Sequence, residues 1–247
     1  MMLQIKSNHY QPIFLLSHMR ANTSLISHIL GSHPQISGYY EMHHSYVSEN
    51  DLITQQQILL DNDTLKTSSH YLFDKLLHNK YELAVENMNL TNAKILVSMR
   101  SAEQSIKSIV NLFRNKKGKH AYAEPELATC YYIERMKKLV QFCETNKTNY
   151  YYYDAELIRS EAKLLLSQLQ KWLQLGSPLT ENYQLFPLTG KPRSGDSSEN
   201  MKKGRIVKQN SNYDDIKIPE DLLQQAIEQS QQYRQLLVSH SIESIIL

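Results

Sequence analysis

One stretch of this 247-residue chain, residues 12–34, limits the choice of folds more than any other. An apolar run at 13–16 predicts a buried strand, and the short polar loop 17–22 follows it directly. Residues 23–30 then show the spacing of an amphipathic helix, with Gly31 where a helix C-cap is expected. The apolar face of that helix consists of Leu25, Ile26, Ile29 and Leu30. The stretch therefore predicts a strand–loop–helix unit.

The loop of this unit has the features of an anion-binding site. A tight turn between a strand and a helix directs backbone N–H groups, and the positive end of the helix dipole, at one point. Arg20, Thr23 and Ser24 add a cation and two hydroxyls there. Asn22 stands where a glycine is the usual residue, and asparagine is the non-glycine residue that best tolerates a positive φ. We expect a phosphate or a sulfate to bind to this loop.

A second unit of the same kind begins near residue 95. Residues 95–99 predict a buried strand, and Arg100 follows at its carboxyl end. Ser101 and Gln104 form a candidate capping box, which predicts that a helix begins here. Ser108 lies on that helix, eight residues after Arg100. The chain therefore carries a cation just after each of two predicted strands.

A third segment, residues 191–208, is basic and contains glycines. Its cations are Lys191, Arg193, Lys202, Lys203, Arg205 and Lys208. This composition is typical of a surface loop, and such loops often carry binding residues.

The alternation of predicted strands and helices indicates an α/β fold. The predicted strands are 13–17, 36–40, 95–99 and 150–153, and two later helices are predicted at 155–175 and 222–238. The tyrosine run at 150–153 lacks polar alternation, which favours a strand packed on both faces. The buried face of helix 155–175 is expected to consist of Leu164, Leu165, Leu169, Trp172 and Leu173.

We expect a single domain over residues 1–247, because the chain shows no repeat and no linker. The predicted architecture is three α/β/α layers around a central parallel sheet. Two long inserts, 42–92 and 111–149, follow predicted strands and are expected to supply helices that cover a ligand pocket. Ligands of open α/β sheets bind beyond the carboxyl ends of the strands, where these inserts begin.

Loop 19–24 resembles the 5′-phosphosulfate-binding loop of sulfotransferases that use 3′-phosphoadenylyl sulfate (PAPS). Those enzymes typically carry Pro-Arg/Lys-Ser-Gly-Thr-Thr/Ser, then a helix, then often a His-Pro pair, which is His33-Pro34 here. Met19 replaces the usual proline and Asn22 the usual glycine. The resemblance implies the P-loop-like sulfotransferase fold and an enzyme that releases 3′-phosphoadenosine 5′-phosphate (PAP).

The resemblance also assigns residues to the nucleotide. The loop residues that it places at the 5′-phosphosulfate are Arg20, Ala21, Asn22, Thr23 and Ser24. Arg100 and Ser108 have the spacing of the family's 3′-phosphate ligands. The basic segment looks like the family's late Gly-Asp loop, which closes over the nucleotide. Its expected contributors are Lys191, Arg193, Gly195, Lys202, Lys203 and Arg205.

Two residues compete for the general base that takes the acceptor's proton. Glu41 follows the second predicted strand, as the catalytic glutamate of tyrosylprotein and several carbohydrate sulfotransferases does. Lys75 lies 25 residues before Arg100 and matches the family lysine that contacts the transferring group, and His78 follows within one position of the histidine base of the cytosolic enzymes. Glu41 is the first choice and His78 the second. His43 and His44 are expected to bind the acceptor, and no metal ion is expected.

Two other functions stay open. A P-loop small-molecule kinase shares the fold, but it would carry Gly-Lys-Ser/Thr in the loop and an acidic residue where Arg100 stands. A non-enzymatic binder of PAP or PAPS is the second alternative, because Met19 and Asn22 depart from the family pattern.

Composition bounds the partners and the compartment. The formal net charge of +2 argues against broad nucleic-acid binding. Two cysteines, no apolar leader and no long apolar run lead us to expect a cytoplasmic protein without a transmembrane segment. The acceptor is expected to carry a hydroxyl on a small molecule, sugar or glycolipid.

Overall fold

A computed structural model describes residues 10–87, 92–147, 149–191, 198–208 and 213–247. The strands in this part of the chain are β1 (Gln11–Leu16), β2 (Ile36–Ser37), β3 (Tyr71–Leu76), β4 (Lys94–Met99), β5 (Tyr151–Asp154) and β6 (Ser244–Ile245). The helices are α1 (Thr23–Ser32), α2 (Glu49–Asn62), α3 (Ala102–Arg114), α4 (Pro125–Thr145), α5 (Leu157–Ser160), α6 (Ala162–Leu173) and α7 (Glu220–Ser239). Among the described residues, no helix is long and apolar enough to cross a membrane.

The six strands form one parallel sheet in the order β2-β3-β1-β4-β5-β6. Helices α1 and α6 cover one face, where Leu25, Ile29 and Leu165 pack into the core. Helices α3, α4 and α7 cover the other face, where Ile106 and Leu237 belong to a second core cluster. The predicted three-layer α/β/α architecture with a central parallel sheet is therefore confirmed.

The structure adds a strand that the sequence interpretation did not include. β3 lies inside the insert 42–92, which was expected to be helical, and it pairs with both β1 and β2. Its sequence contains Asp74 and Lys75 side by side, so it does not show the apolar run of a buried parallel strand. Both residues are nevertheless buried, because each has polar partners. The same insert also contains the expected helix, α2.

Several predicted boundaries were wrong. The second strand was expected over 36–40 but ends at Ser37. The helix expected over 155–175 is interrupted at Glu161, which separates α5 from α6. Leu164, expected in the core, is 55% exposed, and Leu166 is buried instead.

The tyrosine run forms β5 as expected and packs on both faces of the sheet. Tyr152 belongs to the core cluster beneath α3 and α4, and Tyr153 to the cluster beneath α1 and α6. The hydroxyl of Tyr152 donates to Asp154 Oδ1 at 2.8 Å, so burial does not leave it unpaired. The prediction of a buried strand is confirmed.

Gly31 has a different role from the C-cap that its position suggested. Helix α1 continues to Ser32, so Gly31 lies inside it. A Cβ on Gly31 would lie 2.6 Å from Tyr39 Cβ and 2.8 Å from the carbonyl oxygen of Gly38. Glycine is required here because α1 packs directly against the backbone after β2.

Candidate active site

The carboxyl ends of four neighbouring strands carry most of the residues that the sequence singles out. The sheet order β2-β3-β1-β4 arranges their loops in a row. Along that row lie Glu41 after β2, Lys75 on β3, Arg20 after β1 and Arg100 after β4. Because the strands are parallel, all four residues lie at one edge of the sheet, where open α/β sheets bind ligands.

The loop between β1 and α1 adopts the left-handed turn that the sequence requires. Asn22 has φ 55° and Arg20 has φ 66°. The Asn22 carbonyl accepts the first helical hydrogen bonds, from the N–H groups of Leu25 at 3.1 Å and Ile26 at 3.2 Å. Asparagine therefore serves at the position where the family pattern has glycine.

Direct hydrogen bonds join the two predicted phosphate loops. Arg20 Nε donates to Ser108 Oγ at 2.9 Å, and Arg100 Nη1 donates to the backbone oxygen of Arg20 at 3.1 Å. Tyr213 OH, which the sequence interpretation did not include, also donates to Ser108 Oγ at 3.1 Å. The structure thus brings together the residues assigned to the 5′ and 3′ ends of the nucleotide.

These residues surround a cavity of about 100 Å³. Its described lining residues are Arg20, Asn22, Thr23, Ser24, Leu25, Arg100, Ser108, Arg159, Asn200, Met201 and Tyr213. Arg100 Nε is buried and has no hydrogen-bond partner among the described residues. Burial also lowers the pKa of the Arg100 guanidinium, and Glu156 offsets part of this effect. A buried guanidinium nitrogen with no partner among the described residues is suited to donate to a phosphate oxygen.

The helix that carries Ser108 begins as predicted, at Ala102, but without the capping box expected from Ser101 and Gln104. In a capping box the third residue's side chain accepts from the N-cap backbone N–H. That N–H of Ser101 instead donates to Glu156 Oε1 at 2.9 Å, so the position is already occupied.

His18 connects the two loops and was missed in the sequence. Its Nδ1 lies 2.8 Å from the carbonyl oxygen of Met19, and its Nε2 accepts from the N–H of Arg100 at 3.0 Å. Complete burial lowers the pKa of His18 to about 3, so the imidazole is neutral. A neutral ring with one donor and one acceptor holds both loop backbones in place.

Lys75 reaches from the sheet to the first turn of α1. Its Nζ lies 3.4 Å from Ser24 Oγ and 3.4 Å from Ser27 Oγ. The side chain is 1% exposed. The Lys75 amine therefore lies beside the anion loop, in contact with two hydroxyls of α1.

The two competing base candidates lie next to each other. Glu41 Oε1 is 3.6 Å from His78 Nε2 and 3.4 Å from His43 Nδ1. Glu41 is 8% exposed, and its Oε1 has no hydrogen bond within the part of the chain that the structure describes. Burial lowers the pKa of His78, while the neighbouring Glu41 acts in the opposite direction. This cluster therefore offers two possible proton acceptors, the carboxylate of Glu41 and the imidazole of His78.

The remaining predicted residues are more dispersed. His44 Nε2 lies 3.2 Å from Asp51 Oδ1 near the start of α2, rather than beside Glu41. Lys202 pairs with Glu199 at 2.6 Å on the surface. Lys203 and Arg205 line a different groove, of about 880 Å³, beside α6.

The rest of the late segment can be described only in part. Lys191 is exposed and donates its backbone N–H to Leu188 at 3.1 Å. Arg193 and Gly195 lie outside the described residues. The late-segment residues that line the cavity beside Arg100 are Asn200 and Met201.

A buried arginine on α4 supports the sheet edge and was also missed. Arg135 donates from Nε to the carbonyl of Ser17 at 2.8 Å and from Nη2 to that of Leu76 at 2.6 Å. One turn earlier, Tyr131 accepts the N–H of Met19 at 2.9 Å and donates to the carbonyl of Leu77 at 3.0 Å. The signal in the sequence was a tyrosine and an arginine four residues apart on the apolar face of a helix.

No three histidine, cysteine, aspartate or glutamate side chains within the described ranges are grouped so that they could hold a metal ion.

Comparison with known proteins gives a fold. No protein-family model matches the chain, and no curated protein matches it. Solved structures with a similar fold include two that match over most of its length. The "Sulfotransferase Domain from the Curacin Biosynthetic Pathway" is 16% identical with a TM-score of 0.53, over 90% of this chain and 98% of that one. The "Sulfotransferase Domain from the Synechococcus PCC 7002 Olefin Synthase" is 14% identical with a TM-score of 0.55, over 92% and 96%. The chain therefore has the fold of these sulfotransferase domains, as the sequence predicted.

Proposed function

We propose that the protein transfers a sulfuryl group from PAPS to a hydroxyl acceptor and releases PAP. The observation that supports this most is the order of side chains along the sheet edge, from Glu41 through Lys75 and Arg20 to Arg100. In that order lie a proton acceptor, a cation for the transferring group, an anion loop and a second phosphate site. This is the order in which an acceptor, the sulfuryl group and the two phosphates of PAPS would follow one another.

The donor would bind through both of its phosphorylated ends. The 5′-phosphosulfate would sit at the first turn of α1, with Thr23, Ser24 and the positive end of the helix. The 3′-phosphate would sit with Arg100 and Ser108, where Arg100 Nε has no partner among the described residues. A nucleotide with phosphates at both positions fits better than ATP, whose phosphates form a single chain.

The transfer step needs no group beyond the donor and the acceptor. The acceptor oxygen attacks sulfur as the bond from sulfur to the bridging oxygen breaks, and PAP leaves with that electron pair. Negative charge grows on the bridging oxygen, where Lys75 and Arg20 would stabilise it. The acceptor's proton passes to the base.

Glu41 stays our first choice for that base, with His78 the second. The distance of 3.6 Å between Glu41 Oε1 and His78 Nε2 allows both to face one acceptor hydroxyl. Glu41 would take the proton, and His78 would orient the carboxylate. His43, 3.4 Å from the same oxygen, would contact the acceptor.

We also propose a reducing, cytoplasmic compartment. Cys130 is exposed and Cys143 is buried, and both are free thiols. An exposed free thiol is typical of proteins kept in reducing surroundings.

A transfer assay tests the proposal. The purified protein is incubated with PAPS and a panel of alcohols, phenols and sugars, and the products are measured by mass spectrometry. We expect a sulfated product and an equal amount of PAP.

Lys75→Met should abolish transfer while the protein stays folded, and the charge-matched control Lys171→Ala, on the exposed surface of α6, should leave it unchanged. Phosphoryl transfer from ATP with no transfer from PAPS would contradict the proposal and favour a kinase. Tight PAP binding without transfer to any acceptor would favour a non-enzymatic binder.

A further inference from the structure

An arginine that the family pattern did not assign lies in the cavity between the two phosphate loops. Arg159 lies on α5, directly after β5, and it lines the same cavity as Arg20 and Arg100. β5 is the neighbour of β4 in the sheet, so Arg159 approaches the cavity from the side of Arg100. Three arginines therefore surround a space of about 100 Å³.

The side chain of Asn22 holds this arginine in place. Asn22 Oδ1 accepts from Arg159 Nε at 3.1 Å, and Asn22 Nδ2 donates to the carbonyl of Ala155 at 2.9 Å. Both polar atoms of the Asn22 side chain therefore bind the segment after β5, and neither caps α1. A glycine could adopt the same φ of 55° but could make neither contact. The residue that departs from the family's loop pattern is the one that contacts the additional arginine.

A second contact also holds the guanidinium of Arg159. Arg159 Nη1 donates to the carbonyl of Val207, in the late segment. With Nε bound to Asn22 and Nη1 bound to Val207, the plane of the guanidinium is set by two neighbours. An arginine held in this way loses little side-chain entropy when it binds a phosphate.

The charges around the cavity favour the binding of an anion that carries more than one negative charge. The described lining contains three arginines and no carboxylate. The Glu156 carboxylate acts to raise the pKa of Arg100, and its Oε1 accepts from the N–H of Ser101 at 2.9 Å. After burial, Arg20 and Arg159 each contribute to lowering the pKa of Arg100, because like charges nearby repel its charged form. A phosphate dianion would relieve this repulsion.

We propose that Arg159 binds the 3′-phosphate of the donor together with Arg100 and Ser108, and that Asn22 is the residue that positions it. The inference rests on the proposed function, because it assumes a donor with a 3′-phosphate. It explains how the loop binds its ligand without the family's glycine. Arg159 also supplies a cation beside Arg100. Lys203 and Arg205, which the sequence interpretation assigned to the nucleotide, line a different groove.

Calorimetric titration with PAP and with adenosine 5′-phosphate tests the inference. Arg159→Ala should weaken PAP binding by roughly 10- to 100-fold, the effect of losing one charge-assisted hydrogen bond. It should leave binding of adenosine 5′-phosphate nearly unchanged, since that nucleotide lacks the 3′-phosphate. Arg159→Lys should recover part of the loss, because the charge returns without the planar fork. The charge-matched control is Lys171→Ala, on the exposed surface of α6.

The variant Asn22→Gly tests whether Asn22 positions Arg159 or only adopts the positive φ that the turn requires. It restores the family residue and relaxes the backbone, so a loop that needs only the turn would bind PAP as well as before or better. We expect weaker PAP binding, and we expect the double variant with Arg159→Ala to bind no more weakly than Arg159→Ala alone. Thermal unfolding of each variant checks that it is folded.

The outcomes separate this inference from the proposed function. If the unaltered protein does not distinguish PAP from adenosine 5′-phosphate, the proposed function fails and the inference fails with it. If it does distinguish them and Arg159→Ala keeps the same ratio of affinities, only the inference is overturned. An equal loss for both nucleotides would also overturn it, since Arg159 would then serve the 5′ end. Unchanged PAP affinity in Asn22→Gly would overturn the role of Asn22.

Discussion

Asp74 and Lys75 are adjacent on β3, are both buried, and point to opposite faces of the sheet. Lys75 faces α1 and the anion loop, at 3.4 Å from Ser24 Oγ. Asp74 faces the other layer, where its carboxylate accepts from the N–H of Met42 at 2.9 Å and from Tyr46 OH at 2.7 Å. The strand therefore supplies a cation to the site on one face and fixes the backbone after Glu41 on the other.

Asp74 gives the protein a pH-dependent stability whose sign can be worked out. Burial raises the pKa of Asp74 to about 7 from 3.8, so between these values the folded state holds a proton that the unfolded chain has lost, and stability falls as the pH rises. Burial lowers the pKa of His18 to about 3 from 6.5, so its contribution to stability rises with pH over that range. The two effects oppose each other between about pH 4 and 6.5.

The variant Asp74→Asn should make the contribution of His18 to the pH dependence of stability measurable, because it removes the opposing contribution of Asp74. An asparagine can keep the contacts of Asp74, because its oxygen can accept from Met42 and its amide can donate to the Tyr46 hydroxyl. We expect the melting temperature of the variant to rise more steeply between pH 4 and 6.5 than that of the unaltered protein, as measured by calorimetry. Parallel pH profiles would show that Asp74 is ionised in the folded state throughout this range.

The pair of Glu41 and His78 yields a second prediction at this scale. Glu41→Gln keeps the shape of the side chain but removes a proton acceptor, so turnover should fall by ~10²–10⁴-fold while PAP affinity stays nearly intact. His78→Ala should reduce turnover less, since it removes an orienting contact at 3.6 Å. Steady-state kinetics with PAP titration on each variant provide the measurement. A collapse in His78→Ala with near-normal turnover in Glu41→Gln would make His78 the base.

Among the elements, α1 depends on a close approach to the backbone after β2. Gly31→Ala places a Cβ 2.6 Å from Tyr39 Cβ and 2.8 Å from the Gly38 oxygen. Alanine favours a helix by about 1 kcal/mol over glycine, but the overlap should reverse this gain and cost about 1–3 kcal/mol in the free energy of unfolding. Gly176→Ala is the control, because the φ of Gly176 is not positive and a Cβ there would meet only the flexible side chain of Gln35, at 3.3 Å. Denaturant unfolding compares the two, and a stabilised Gly31→Ala would mean that α1 and the segment after β2 are farther apart.

The elements also show why some of the fold could be predicted and some could not. β1, β4 and β5 are apolar or aromatic runs, and such runs mark strands that are buried on both faces. β3 was missed because its buried charges are satisfied by residues distant in sequence, such as Ser24 and Tyr46. β6 is only two residues long, too short to leave a periodic pattern.

In the whole molecule, the order of the strands determines which loops are neighbours, and no single sequence motif contains that information. The sequence supplied two strand–loop–helix units and candidate bases, but it gave no information on which loops would be neighbours. Placement of β3 between β2 and β1 brings Lys75 and His78 between Glu41 and the anion loop. The contributions of His18, Arg135, Arg159 and Tyr213 could not be predicted, because each depends on a contact between segments far apart in sequence.

We propose that the carboxyl edge of this sheet binds a nucleotide phosphorylated at both its 3′ and 5′ positions. Calorimetric titration of the unaltered protein with PAP, adenosine 5′-phosphate and Mg²⁺-ATP tests it most directly. We predict that PAP binds at least about tenfold more tightly than either competitor, because only PAP places a phosphate beside Arg100 and Ser108. In Arg100→Ala, the preference for PAP over adenosine 5′-phosphate should become smaller, because Arg100 is one of the side chains proposed to bind the 3′-phosphate. Equal affinity for PAP and adenosine 5′-phosphate in the unaltered protein, or tighter binding of Mg²⁺-ATP, would show that the sheet edge does not select a 3′-phosphorylated nucleotide.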